Sequence, residues 1–194
     1  APISGYHGQN TALHRTESLR RLGNGVTTVD STPHIGKDFS SLLYRTRARL
    51  FRMGFSLTHK DLPNVNENIL ETAKGKQFDI CWIDKGVLIS GSTLKSFKTL
   101  NPDCAIVGYS PDDMFARHNQ SMQFLDHLKQ YDVFFTTKSY NVEELKQLGA
   151  RNVSFINNGY DHLSFRPVMP TDEEKRRCGG DVGFIGSFEQ SRAD

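Results

Sequence analysis

Short apolar runs rich in β-branched and aromatic residues alternate along this chain with longer stretches in which apolar positions recur every three or four residues. The runs at 1–4, 26–30, 54–58, 79–83, 105–109, 133–136 and 153–156 read as strands of about five residues, most of them ending at a polar or Gly-containing loop. Helical spacing covers 11–22, 39–52, 65–74, 92–100, 117–129 and 141–148, with boundary signals at Gly23, at Ser139 or Asn141, and at Gly149. In the last of these Val142, Leu145 and Leu148 make an apolar stripe suited to packing on a sheet. Strands alternating with helices predict an α/β fold built on a mainly parallel sheet.

The pattern changes after about residue 161. Residues 162–180 hold Pro167, Pro170, Gly179, Gly180 and an unbroken charged run from Asp172 to Arg177, the profile of an exposed connection. Asp181-Val182-Gly183-Phe184-Ile185-Gly186-Ser187 then reads as a new strand entering a Gly-Ser loop. The expected organisation is one α/β domain over 1–161, a linker over 162–180, and the start of a second α/β domain over 181–194 that is cut short. The brevity of the first strand suggests missing upstream residues as well, so the sequence reads as a fragment.

With 194 residues, 37% hydrophobic and 24% charged, the chain suffices for a sizeable core, which argues against disorder or a fibre. A net charge of +2, with no like-charge block beyond Lys175-Arg176-Arg177, argues against a nucleic-acid partner. Cys81, Cys104 and Cys178 lack CxxC spacing, and the first two sit in apolar runs, which predicts a reduced, cytoplasmic protein without structural zinc. No apolar stretch approaches the roughly 20 residues of a membrane span, so no integral membrane segment is expected.

Candidate chemistry gathers at strand ends. Asp112 and Asp113 stand side by side in the turn Ser110-Pro111-Asp112-Asp113-Met114 after the 105–109 run. Open α/β sheets bind ligands beyond the carboxyl ends of their strands, where such a pair can bind hydroxyls, hold a cation or take a proton. Either carboxylate can instead cap the following helix, and one of them is expected to. Asp84 and Lys85 end the 79–83 run and join the same cluster if the two strands are neighbours; the plainer alternative is that Lys85 neutralises Asp84. Thr137, Lys138, Asn158 and Tyr160 follow the last two runs, where Lys138 can meet an anion. Tyr109 and Tyr160 can stack on a sugar ring or simply pack. Gly5, His7 and Gly8 lie in a loop whose backbone N–H groups can approach a phosphate, although it lacks the full GxGxxG pattern and can equally be a plain turn. His7 can act as a base, and His118 with Asn119 can face the cleft or complete a helix cap.

Several segments together resemble the N-terminal domain of glycosyltransferases related to the spore maturation protein CgeB. They are Trp82-Ile83-Asp84-Lys85-Gly86, Tyr109-Ser110-Pro111-Asp112-Asp113-Met114, the run from Tyr131 to Asn141, Leu148-Gly149-Ala150, Asn158-Gly159-Tyr160-Asp161 and Phe165-Arg166-Pro167, with 181–187 resembling the opening strand of that family's second domain. The resemblance implies a GT-B architecture, in which two Rossmann-like three-layer domains face each other across a cleft. The first would hold an unidentified acceptor, the second most of a sugar-nucleotide donor, which serves as co-substrate; no other cofactor is implied. The resemblance places the 136–139 and 157–160 segments on the interdomain cleft, while the first ~70 residues resemble the family only loosely. By residue chemistry the candidate catalytic pair is Asp112 and Asp113, and the candidate substrate-binding residues are Gly5, His7, Gly8, Asp84, Lys85, Tyr109, Ser110, His118, Asn119, Thr137, Lys138, Asn158 and Tyr160. Metal is not implied, because no DxD spacing of the metal-using type occurs. The fragment alone is expected to be nearly inactive. Two alternatives stay open: a non-catalytic carbohydrate- or nucleotide-binding module, and a phospho-acceptor receiver, for which the order of the acidic residues along the chain is wrong.

Overall fold

Four of the apolar runs form strands, β1 (Ile80–Asp84), β2 (Ala105–Ser110), β3 (Val133–Thr136) and β4 (Val153–Phe155); β2 is nearly buried throughout, whereas β1 and β4 keep exposed residues. They make an all-parallel sheet in the order β1-β2-β3-β4, with Asp84 level with Tyr109 and Ser110 level with Thr136. The computed structural model describes residues 11–31, 46, 49–50, 53, 58–61, 63–163 and 165–180, except the side chains of His118 and Cys178. The expected strand at 1–4, most of the helix at 39–52, most of the strand at 54–58 and all of 181–194 lie outside the described residues.

The first compact unit, Ala1–Gly159, is α/β. Its helices are α1 (Thr11–Arg21), α2 (Val65–Ala73), α3 (Gly91–Leu100), α4 (Met122–His127) and α5 (Asn141–Gln147). Parallel strands added in one direction through right-handed crossovers put all their connecting helices on one face. That face holds the core, where Ile83, Ile106, Phe134 and Val153 of the sheet meet Ile69, Leu94, Phe124 and Leu145 of the helices. Alternate strand residues, Trp82, Val107, Tyr109 and Phe135, point to the opposite face, where Arg15 of α1 lies over Tyr109. Helix, sheet and helix give the Rossmann-like three-layer arrangement. Among the described residues no helix is long and apolar enough to cross a membrane.

Two expected elements take a different form. Residues 26–30 form no strand: Thr28, Val29 and Asp30 line an open cleft with Asn68, Glu71 and Thr72 of α2, and Val29 packs on the core, so the run's apolar character goes to a helix instead of a ladder. The predicted helix at 117–129 is broken into a 3₁₀ turn (Arg117–Asn119), α4 and a second 3₁₀ turn (Leu128–Gln130). The break is at Gln120, whose amide donates to the carbonyls of Met114 and Phe115, and at Ser121, whose hydroxyl accepts from Phe124 N at 2.9 Å to restart the helix.

The second unit, Tyr160–Asp194, contains a helix, α6 (Asp172–Cys178), within the stretch read as an exposed linker. Thr171 and Glu174 form a reciprocal capping box, three acids lie in the first turn and three cations in the last, an arrangement that suits the helix dipole. Hydrogen bonds from Thr171 lower the Glu174 carboxyl below its usual range.

Candidate functional site

The carboxyl ends of β1, β2 and β3 carry the polar residues singled out above. Sheet order makes β1 and β2 neighbours, and the ion pairs cross between elements. Lys85 pairs with Asp112 at the end of β2 and not with the adjacent Asp84. Asp84 is met instead by Arg15, at 3.0 Å, and by the indole N–H of Trp82, at 3.3 Å. The reason lies in the backbone: Lys85 has φ +58°, a left-handed turn that sends its side chain away from Asp84. The Lys85–Asp112 side chains are 41% and 42% exposed and those of Arg15–Asp84 28% and 30%, so solvent screens both pairs and each adds at most about 1 kcal/mol to stability; they set direction more than they hold the fold together.

The two aspartates have divided their work. Asp113 Oδ1 accepts from the backbone N–H groups of Phe115 and Ala116, at 3.0 and 3.1 Å, and from the side-chain amide of Asn141, at 2.8 Å. One member of the pair is expected to cap the next helix; instead Asp113 ties the loop at 115–116, the 3₁₀ turn at Arg117–Asn119 has no side-chain cap, and Ser121 caps α4. Asp112 points outward, half-exposed, with Lys85 as its partner. Ser110 is fully buried, and its hydroxyl accepts from Asp112 N at 3.1 Å and donates to Asp112 O at 3.3 Å, so it shapes the turn. Thr137 closes the turn from β3, donating through its hydroxyl to Pro111 O at 3.0 Å. Lys138 follows with its N–H on Thr136 Oγ1 at 3.1 Å, and its side chain is half-buried.

Other expected residues fall elsewhere. Gly5, His7 and Gly8 lie outside the described residues, as does the His118 side chain. The Asn119 amide donates to Asp113 O at 2.9 Å and so belongs to the loop's own bonding. Tyr109 is buried with one ring face under the Arg15 guanidinium, 4.6 Å from the ring centre, and Trp82 lies 5.6 Å away; this packing leaves no open face for a sugar to stack on. Burial pushes the Tyr109 hydroxyl above its ordinary range, Asp84 and Asp112 add to the rise, and Arg15 opposes it. Asn158 is exposed beyond β4, and Tyr160 is exposed in the second unit.

Arg15 is the participant that the strand-end reading missed. Its sequence signal is a cation on a helix stripe with Ala12 and Leu19, positions that would otherwise be apolar on the sheet-facing side. Asn141 is the second, at the first position of α5 and fully buried. Among the described residues no group of three or more His, Cys, Asp or Glu side chains is placed to hold a metal ion.

Beneath the edge lies His127, fully buried, its Nε2 2.9 Å from Gly86 O. The partner is a carbonyl, so Nε2 carries the proton and donates. Burial lowers the His127 pKa, against smaller opposing effects from the Gly86 contact and from Asp126. Between the lowered folded value and the ordinary value near 6.5 the unfolded chain binds more protons, so stability rises with pH there and is lost as pH falls below about 6.5. Urea midpoints measured from pH 8 to pH 5 are expected to fall more steeply for the wild type than for His127→Gln; parallel slopes would refute this.

Compared with known proteins, the chain matches no protein-family model, no curated protein and no solved structure.

Proposed function

We propose that this chain carries the acceptor-side domain of a GT-B glycosyltransferase of the CgeB-like kind, which moves a sugar from a sugar nucleotide to an acceptor hydroxyl. One observation carries the reading. At the carboxyl edge of a parallel sheet, Asp112 and Lys85 stand half-exposed on adjacent strands, while Ser110, Asp113 and Thr137 are spent on the backbone that presents them. A carboxylate and an ammonium side by side suit the reaction's two needs: a proton acceptor for the attacking hydroxyl, and a cation near the phosphate that leaves with the bonding electron pair. The ordered motif set from Trp82 to Ser187 supports the same reading, its last segment resembling the start of a donor-side domain.

In this proposal Asp112 takes the proton, Lys85 orients Asp112 and faces the anion, and Asp113 holds the turn. Calorimetric titration of the protein from its complete reading frame with a panel of sugar nucleotides is the test. At least one is expected to bind in the range of about 1 μM to 1 mM, and binding of none would remove the reading. With an acceptor in hand, Asp112→Asn is expected to lower kcat/KM about a hundredfold, the scale of a lost general base. Asp113→Asn keeps an oxygen where Oδ1 stands and should change transfer little. Donor binding with transfer indifferent to Asp112→Asn would leave a fold that positions a ligand by other groups.

A further inference from the structure

We infer that His127 is a positioning residue for the Lys85–Asp112 pair: by holding the Gly86 carbonyl from inside the domain, it keeps the Lys85 turn in the conformation that aims the ammonium at Asp112. This goes beyond the proposed reaction and does not depend on which ligand the edge takes.

The turn needs such support. Lys85 and Gly86 are consecutive left-handed residues, at φ +58° and +68°. Glycine takes that conformation freely, whereas a lysine keeps it only where its surroundings over-determine it. A side chain at position 86 would be strained by the positive φ and crowded, because a Cβ there would stand 2.8 Å from the Tyr131 hydroxyl and 2.9 Å from Ile83 Cγ2. On the sheet side the Lys85 N–H donates to Tyr109 O at 2.8 Å. On the helix side His127 donates to Gly86 O at 2.9 Å and the Ser121 hydroxyl to Val87 O at 2.7 Å. The turn is thus clamped between β2 and both ends of α4, Ser121 at its start and His127 at its last residue.

His127 itself is an expensive choice for packing alone. Its ring is fixed by edge contacts with Phe124 and Tyr131, at 5.7 and 5.2 Å between centres, which a leucine or phenylalanine can also supply. Its Nδ1 is buried with no hydrogen-bond partner, a cost that an apolar residue would avoid. What histidine adds at this place is the Nε2–H donated to Gly86.

Acetylation of individual lysines by an N-hydroxysuccinimide ester, followed by peptide mass spectrometry on the folded chain, tests the inference without reference to any activity. A paired ammonium reacts slowly, so Lys85 in His127→Leu should react about threefold faster than in the wild type, as it should in Asp112→Asn, within the range of a half-exposed ion pair. His127→Gln, whose amide reaches the Nε2 position, should restore the wild-type rate, and exposed Lys95 and Lys129 should not change in any variant. If His127→Leu does not fold, His127→Asn, one methylene too short to reach, takes its place against His127→Gln. An unchanged Lys85 rate in the leucine or asparagine variant, or a glutamine variant that fails to restore it, would overturn the inference.

Discussion

Asn141→Leu is expected to destabilise the first unit by about 3 kcal/mol, lowering its thermal midpoint by roughly 10 °C, even though leucine keeps the branched skeleton of asparagine. The side chain is fully buried and spends its polar atoms on three partners. Its Oδ1 accepts from Met114 N at 3.0 Å, and its Nδ2 donates to Asp113 Oδ1 at 2.8 Å and to Glu144 Oε2 at 2.7 Å. Leucine strands the Met114 N–H and takes a donor from each of two carboxylates, and unsatisfied buried groups cost more than the net worth of the bonds they made. Asn141→Asp separates this account from a simple volume effect. It keeps the acceptor for Met114 but sets a third carboxylate against Asp113 and Glu144, which raises the pKa of the new group. Its deficit relative to wild type should therefore be large at pH 7 and shrink as pH falls towards 5. A thermal midpoint within about 2 °C of wild type for Asn141→Leu, well under the shift one lost buried bond implies, would show that the network does not hold the turn.

That network marks the limit of what the sequence discloses. The four strands were legible because each is a short run rich in β-branched and aromatic residues that ends at a polar loop, even though Ile80, Trp82 and Phe155 remain exposed. Residues 26–30 carry the same local signature, yet whether a run finds a ladder partner is decided by elements distant in the chain, here by α2. The helices that begin at Ser121 and Thr171 had readable caps, the second a full capping box, and both were obscured by stronger composition signals: a long helical periodicity in one case, and a charged Pro/Gly-rich stretch in the other.

At the site, proximity in sequence misled where backbone conformation intervened. Asp84 and Lys85 are neighbours that do not pair, because φ at Lys85 is positive and the strand register brings Asp112 within reach. That one aspartate would bind nearby backbone N–H groups was legible from local rules, but Asp113 spends its carboxylate on the loop at Phe115 and Ala116 and caps no helix. Arg15 could not be paired in advance with Asp84, since that contact spans nearly seventy residues and depends on which sheet face α1 covers. What local physics controls was visible; what register and layer order control was not.

Gly108 shows the same division at its sharpest and supports the second large effect. It stands in the middle strand pair of an apolar run, where glycine weakens a strand and serves only if something comes close. A Cβ built there would lie 2.3 Å from Phe134 Cδ2 and 2.9 Å from Tyr131 Cε1, well inside contact distance. Both rings are fully buried and lean on each other at 5.4 Å between centres, so neither can swing out into water. Gly108→Ala is therefore expected to cost about 3 kcal/mol by overpacking, although alanine suits a strand better than glycine does. Phe134→Leu alone should cost about 1–3 kcal/mol through lost burial and the space it leaves. The two changes should not add: in the Phe134→Leu background the alanine methyl moves into room the ring has vacated, so the double variant should be more stable than the sum of the single effects predicts by at least about 1 kcal/mol. Urea unfolding of the four proteins measures the coupling. Additive losses would mean that the strand backbone, and not the Phe134 ring, excludes a side chain at position 108.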